Sequence, residues 1–442
     1  MNTLDAPPSV RWELRPLDRL AVSAGRLSGR LLRRVLRRGG SAVPGLVADA
    51  VSPGLLLRAL QSHPLGVIVV TGSAGKSTTT KMLTALLRGH GLTVFTNPST
   101  ANMRQGIVSA VLDEAGSGLP PADIAVLELD EVAAAALAGA MDFRMVVATN
   151  VLKDQLDRFR SPGRVAEYIA AAASAAETIV ANADDGFLTE MLPPLGAPIH
   201  WFGAAADLRP ASALGFGYAR ESGPRHAGLP RGTRVEASDA DSALLDLGGE
   251  GLLVELPAPG VHYAMDAAAA IEAARNLLGE AFSPYAAHDA LAATGPVFAR
   301  GERIEVRGET VELVLVQNLA SFQLNLDQLE PSPEQVLVAV GSDVADPSWL
   351  WSVELGRLGA VTAISGSRAH DLALRLLYAG VPVDSVEPDL SVAIEDFLAL
   401  PTPSRGRKTI ILTADPMRRV RRMLELELGV GLGLGLGRSV AR

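Results

Sequence analysis

From Gly66 onward, short apolar runs alternate with stretches whose apolar residues recur every three or four positions. "GVIVV" leads into a glycine turn and then "KSTTTKMLTALLRGHG", helical in spacing and closed by glycine. "TVFTN" follows, then a helix over 102–112, then "ADIAVLELD", "RMVVATN" and "ETIVANADD", each apolar run ending in polar residues. Strands this continuously apolar are covered on both faces, and their alternation with helices predicts a parallel, doubly wound α/β sheet. Ligands of such sheets lie beyond the carboxyl ends of the strands. The polar clusters at 71–78, 128–131, 150–158 and 182–185 all fall at such ends.

The pattern weakens over 203–255, rich in Gly, Pro, Ala, Asp and Arg, and predicts an irregular insertion. "APGVHYAMDAAAAIEAARNLLG" (258–279) returns as a helix, and the unit closes near 294–296. "ERIEVRGETVELVLVQN" predicts two strands around an Arg307-Gly308 turn. "QVLVAVG", "AVTAISG", "VDSVEP" and "TIILTAD" then alternate with helical stretches, the last helix starting at Pro416. The expected division is a basic helical segment (1–56), a central domain (57–296), a smaller Rossmann-like α/β domain (297–428) and a low-complexity tail (429–442).

Charge changes the picture at one end. The net charge is −9 overall but +7 over residues 11–40, where nine arginines face Glu13 and Asp18, leaving −16 for the rest. An acidic chain of this kind is not a general nucleic-acid binder. Leu20, Ala24, Leu27, Leu31 and Val35 give the basic segment an amphipathic helical period. Two placements follow: a helix packed on the next domain with its arginines in solvent, or a helix resting on an anionic membrane surface. No apolar run reaches the roughly 18 residues of a membrane span, and no secretory signal core is evident, so a cytoplasmic protein is expected, with peripheral membrane contact as the second placement. With no cysteine in the chain, disulfides, thiolate zinc sites and a cysteine nucleophile are excluded, and no zinc is expected.

The chemistry centres on Gly72-Ser73-Ala74-Gly75-Lys76-Ser77-Thr78. A Walker loop is G-x-x-x-x-G-K-[ST], and this loop is two residues shorter, since Val70 stands five before Gly75. Its physical parts are still present: a strand, a glycine turn and a helix start whose backbone N–H groups favour anions. Lys76 is placed to reach terminal phosphates and Ser77 to offer a hydroxyl to Mg²⁺. Mg²⁺ prefers hard oxygen ligands, and Glu128 at the end of "IAVLEL" is the natural carboxylate. Strand alternation points Glu128 and Asp130 one way and Glu131 the other. Asn150, Asp154, Gln155 and Asp157 form the next strand-end cluster, and Asn182, Asp184 and Asp185 the one after; each is also compatible with a simple turn or helix cap.

These motifs together resemble the Mur ligase superfamily, which uses ATP to phosphorylate a carboxylate that an amine then attacks. "GSAGKS" matches its short loop apart from Ala74, "TNVLKDQLD" its T-N…D-H-x-D segment with Gln155 in place of His, and "NADD" its adenine-contacting N-x-D-D. Gln155, the acidic "VLELDE", "ISGSRAHDLALRLLYAGV" and "DPSWLW" are similar to the MurT family within it. That resemblance implies ATP and Mg²⁺ as cofactors, with Ser77, Glu128 and Gln155 toward the metal. It implies nucleotide contacts by Gly72, Ser73, Gly75, Lys76, Ser77, Thr78, Asn150, Asn182 and Asp185. Catalytic roles follow for Lys76, Glu128, Asp154 and Gln155, and for Asp346 toward a partner's glutaminase site. It further implies a GatD-like glutamine amidotransferase subunit as partner and lipid II or a related peptidoglycan precursor as substrate. Departures are visible: the family's zinc-ribbon cysteines are absent, its K-N-P-x-G-F-N begins with Gln317, two asparagines read Tyr263 and Asp266, and the acidic positions after Asp346 read Ser352 and Glu354. They keep open a nucleotide-binding scaffold, and a ligase of the folylpolyglutamate synthase type remains a further alternative.

Overall fold

The computed structural model describes residues 12, 14–36, 43–97, 104–117, 120–152, 161–208, 232–239, 242–257, 261–294, 300–316, 319–329, 333–344 and 347–424. In chain order the first unit contains α1 (Pro16–Leu36), α2 (Val43–Val51), α3 (Leu55–Gln61), β1 (Val67–Thr71), α4 (Lys76–Gly89) and β2 (Val94–Thr96). It continues with α5 (Arg104–Ala115), β3 (Ile124–Glu128), α6 (Glu131–Ala138), β4 (Met145–Ala148), α7 (Pro162–Ala173), β5 (Ile179–Asn182), α8 (Gly186–Met191) and β6 (Ile199–Ala204). Then come β7 (Arg234–Ser238), β8 (Ser242–Asp246), β9 (Gly251–Glu255), α9 (Val261–Leu278) and α10 (Pro284–Ala292).

The nine strands form one sheet in the order β2-β3-β1-β4-β5-β6-β7-β8-β9. β1 lies between β3 and β4, parallel to both, with Val70 opposite Glu128 and Thr71 opposite Ala148. Its four apolar residues, Val67 to Val70, are at most 1% exposed, each contributing roughly 1.5–3 kcal/mol by burial. The loop that follows therefore leaves a fixed point in the middle of the sheet. One face is covered by α4 and by α9, whose alanines Ala267 to Ala270 let it lie close to α4. The other face carries α5, α7 and the N-terminal helices.

One expectation fails here. Within the stretch expected to be irregular, residues 234–239 and 242–255 form a three-stranded meander: β7 runs parallel to β6, while β8 and β9 return antiparallel. The sheet is thus mixed rather than wholly parallel. The alternating burial of β8 and β9, joined through Gly248 and Gly249 at φ 92° and 112°, is that of a sheet with one solvated face. α1 packs on the central unit with Arg19 and Arg30 in solvent, as the first of its two placements has it, and does so through Asp18, Ala21, Val22, Gly25 and Gly29 while its leucine stripe faces outward. A Cβ at Gly25 would meet Leu112 Cδ1 at 2.5 Å and the Pro44 carbonyl oxygen at 3.0 Å, so the helices approach closely here.

The second unit holds β10 (Arg300–Val306), β11 (Glu309–Leu315), α11 (Leu319–Gln328), β12 (Val336–Ala339), β13 (Val361–Ser365), α12 (Ala369–Tyr378) and β14 (Val383–Glu387). It ends with α13 (Leu390–Ala399), β15 (Lys408–Leu412) and α14 (Ala414–Met423). The sheet order is β10-β11-β15-β12-β13-β14, parallel except for the β10–β11 hairpin. That hairpin turns at Arg307 and Gly308, both at positive φ, where the sequence placed it. Helices cover both faces, so the α/β reading holds for both units. The last helix begins at Ala414, two residues before Pro416.

Candidate nucleotide-binding site

The loop 72–75 is held by its glycines and by the next strand end. Gly72 sits at φ 132°, and a Cβ there would meet Thr149 Oγ1 at 2.2 Å. Gly75 sits at φ 82°, and a Cβ there would meet Asp266 Oδ1 at 2.2 Å. Neither position has room for a side chain. Asn150 clamps the loop from both sides: its Oδ1 accepts from the Ala74 N–H at 2.9 Å and its Nδ2 donates to the Ala74 carbonyl at 3.2 Å. Thr149 Oγ1 donates to the same carbonyl at 2.7 Å, and the Leu152 N–H donates to Ser73 Oγ at 3.0 Å. Asn150 and Ser73 thus shape the loop. At the start of α4, Gly75 caps without a side-chain hydrogen bond, so the N-terminal N–H groups of a 14-residue helix face the loop mouth.

The charged residues converge at that mouth. Ser77 Oγ donates to Glu128 Oε1 at 2.9 Å, which joins two of the three predicted Mg²⁺ ligands across 51 residues of chain. Glu128 is 4% exposed and is braced by Asn97, whose side chain bonds both the N–H and the carbonyl of Glu128 at 3.0 Å. Asn97 was not singled out by sequence; its one signal was its place at the polar end of "TVFTN". Lys76 Nζ donates to the Gly72 carbonyl and pairs with Glu131 Oε1 at 3.2 Å.

Glu131 corrects the alternation argument. β3 stops at Glu128, so strand alternation does not extend to 130 and 131. Asp130 is instead the N-cap of α6, accepting from the Val132 N–H at 3.1 Å, and Glu131 opens the helix toward Lys76.

The third cluster is mainly a brace. Asn182 Oδ1 accepts from the Asp184 N–H at 2.9 Å. Asp184 Oδ2 accepts from the Ala204 N–H at 2.8 Å. Asp185 caps α8 through the Phe187 and Leu188 N–H groups and takes the Val151 N–H at 2.6 Å. These carboxylates tie the ends of β4, β5 and β6 together. Thr78 is buried within α4, and Thr79 Oγ1 donates to Asp266 Oδ1 at 3.3 Å, linking α4 to α9 beneath the loop. Asp154, Gln155, Asp157, Gln317 and Asp346 lie outside the described residues.

The donor set fits the expected groups. A hydroxyl and a carboxylate, both hard oxygens already in contact, suit Mg²⁺, while uncapped N–H groups and a lysine suit a polyphosphate. Among the described residues no cluster of three or more His, Cys, Asp or Glu is arranged to hold a metal by itself.

Comparison with known proteins agrees with this geometry. The Mur ligase middle domain matches residues 70–274, and the MurT ligase C-terminal domain matches residues 315–414. The chain is thus similar to the Mur ligases in its central part and to the MurT C-terminal domain beyond it. It is 27% identical over 405 residues to the MurT subunit of lipid II isoglutaminyl synthase (glutamine-hydrolyzing) of Streptococcus pneumoniae, covering 83% of this chain and 88% of that one. The Staphylococcus aureus (strain COL) subunit of the same name is 30% identical over 172 residues, 39% of this chain and 38% of that one. Among solved structures, the MurF ligase of Thermotoga maritima in complex with ADP superposes with a TM-score of 0.63 at 17% identity, covering 86% of this chain and 83% of that one. That likeness concerns the fold. The MurT-like chain is an ATP-dependent ligase by class.

Proposed function

We propose that this MurT-like chain amidates the α-carboxylate of D-glutamate in the lipid II stem peptide, with ammonia supplied by a GatD-like glutaminase subunit. The observation that carries the reading is the junction of Ser77, Glu128, Lys76 and Glu131 at the mouth of a clamped glycine loop. Similarity to the streptococcal MurT subunit along most of both chains supports the substrate.

In the first step a carboxylate oxygen attacks the γ-phosphorus of ATP, the bond to the bridging oxygen breaks, and ADP leaves. In the second the ammonia lone pair attacks the carbonyl carbon of the acyl phosphate. Phosphate departs with its C–O electron pair, and a proton is lost from nitrogen. The loop N–H groups and Lys76 hold the β- and γ-phosphate oxygens and take up charge that builds during transfer. Ser77 and Glu128 would hold Mg²⁺, with Gln155 alongside by resemblance; the ion supplies charge neutralisation on the phosphates. Asn182 and Asp185 border the adenine in this reading, and Asp154 belongs to the carboxylate side. Asp346 precedes the face offered to the glutaminase. Because these 442 residues contain no cysteine, a cysteine nucleophile for glutamine hydrolysis sits on the partner.

The test is co-expression with the glutaminase subunit followed by mass analysis of lipid II. A product lighter by the difference between OH and NH₂ is expected. Lys76→Ala should lower ATP turnover about a hundredfold or more while the chain stays folded, read by circular dichroism. Absence of both turnover and mass change with partner and lipid II present overturns the proposal.

A further inference from the structure

The leucine stripe of α1 is exposed. Leu17, Leu20, Leu27 and Leu31 are 53%, 59%, 56% and 52% accessible, spaced along one side of a helix of 21 residues. A helix fixed on the protein normally turns such a stripe inward. Here the inward side is made of small residues, and the attachment is firm. Asp18 pairs with Arg58 at 2.6 Å and accepts from Ser52 Oγ at 2.5 Å, and Arg26 donates to the Gly116 carbonyl. The leucines therefore face outward by construction.

What borders the stripe decides its partner. Among the residues of α1 whose side chains are described, the exposed polar ones are Arg19, Ser23 and Arg30, with Arg15 just before the helix; none is acidic. The one acid of the helix, Asp18, is buried and spent on Arg58. Two copies of this helix face to face would bring arginine rows together, which disfavours a self-paired helix. An apolar band bordered by arginines and a serine, with no exposed acid among the described residues of the helix, on an otherwise acidic chain matches a surface that is apolar within and negative outside, an anionic phospholipid layer. We propose that α1 lies flat on such a layer, with Leu17, Leu20, Leu27 and Leu31 in the acyl region and Arg15, Arg19 and Arg30 at the phosphates. The proposal goes beyond the amidation reading and does not depend on it, although a lipid-linked substrate would lie in the same layer.

The experiment is flotation of the full chain, alone and with its glutaminase subunit, on vesicles of equal parts phosphatidylglycerol and phosphatidylcholine without lipid II. Phosphatidylcholine vesicles serve as the comparison. Flotation with the anionic vesicles is expected, weakened by salt. The combined Leu20→Ser, Leu27→Ser and Leu31→Ser variant should lose about tenfold or more in vesicle affinity, and Arg19→Gln with Arg30→Gln several-fold, with unchanged melting temperature and ATP hydrolysis. Equal binding to both vesicle types, equal binding by the leucine variant, or no flotation of the wild type overturns the proposal. Loss of glutaminase association or of a dimer in the leucine variant, with no flotation of the wild type, would instead assign the face to a protein. Because no substrate is present, failure here leaves the amidation reading untouched.

Discussion

Lys76 and Glu131 form an ion pair at 3.2 Å where the phosphates of a nucleotide would lie. Glu131 is 3% exposed, so its charge acts at short range on any polyphosphate that Lys76 receives. Glu131→Gln keeps an acceptor for Lys76 and removes the negative charge. Several-fold tighter ATP binding is expected, read by calorimetry; unchanged or weaker binding would mean that Glu131 faces the lysine alone. A second residue-level consequence concerns Glu114, far along α5. Burial pushes its carboxyl up to about 7, opposed in part by the Ala122 N–H at 3.2 Å. Its neighbour His63, with Nε2 4.0 Å away and Nδ1 bonded to the Ala122 carbonyl, has its pKa lowered by burial and gives little relief. Since the folded pKa is above the ordinary value of 4.5, protonated Glu114 favours the folded state. That contribution is complete below the ordinary value and is lost as pH rises through about 7. Glu114→Gln should therefore stabilise the chain by roughly 1–2 kcal/mol at about pH 8, with the gain shrinking toward about pH 5, as read from urea melts at both.

At the level of elements, Gly75 links the loop to α4 in a conformation closed to other residues. Its φ of 82° and the Asp266 oxygen 2.2 Å from a built Cβ make Gly75→Ala doubly unfavourable. It should cost about 1–3 kcal/mol and abolish nucleotide binding, whereas Gly91→Ala, at φ 87° with nothing near, should lose stability only. Thermal melts with and without ADP separate the two. The loop, its strand and its helix were legible because buried parallel strands are written as unbroken apolar runs. β8 and β9 were not, because one face is solvated: Leu244 and Leu253 are 41% and 57% exposed, and their alternation is short and surrounded by glycine. The tandem Gly248-Gly249 between two apolar stretches was the available hairpin signal. Ser77, Glu128 and Asn150 do come together around the loop, as their places at strand ends led one to expect; their roles toward a nucleotide belong to the proposal. Glu131 was pointed the wrong way and Asn97 was missed, because their places depend on where β3 stops and how β2 ends, boundaries that periodicity fixes poorly. Which face of α1 turns inward was not legible, because small residues pack closely there and apolarity alone does not reveal that.

For the molecule as a whole, the second unit presents its own outward apolar face. Trp351, Leu374, Leu377 and Tyr378 are 49%, 48%, 73% and 74% accessible. Trp351 and Tyr378 meet edge-on at 5.5 Å, and the Arg375 guanidinium lies 5.8 Å from the Trp351 ring centre. Arg375 also donates to the Leu350 and Val353 carbonyls at 3.1 and 2.7 Å, which fixes the turn bearing Trp351 against α12. A rigid aromatic pair with a guanidinium beside it is the composition found at the centre of protein interfaces, where such anchors carry most of the affinity. The face lies within the MurT-type C-terminal domain, just after Asp346, the residue the resemblance assigns to the glutaminase. If the glutaminase subunit docks here, Trp351→Ala should weaken the complex about tenfold to a hundredfold in calorimetry. Ligase turnover with free ammonia should persist while glutamine-dependent turnover falls. Arg375→Lys, which loses the planar fork to two carbonyls, should give a smaller loss in the same direction. Full-strength association of both variants would move the interface elsewhere on the chain, and loss of ammonia-dependent turnover as well would mean that the face supports the fold rather than the partner.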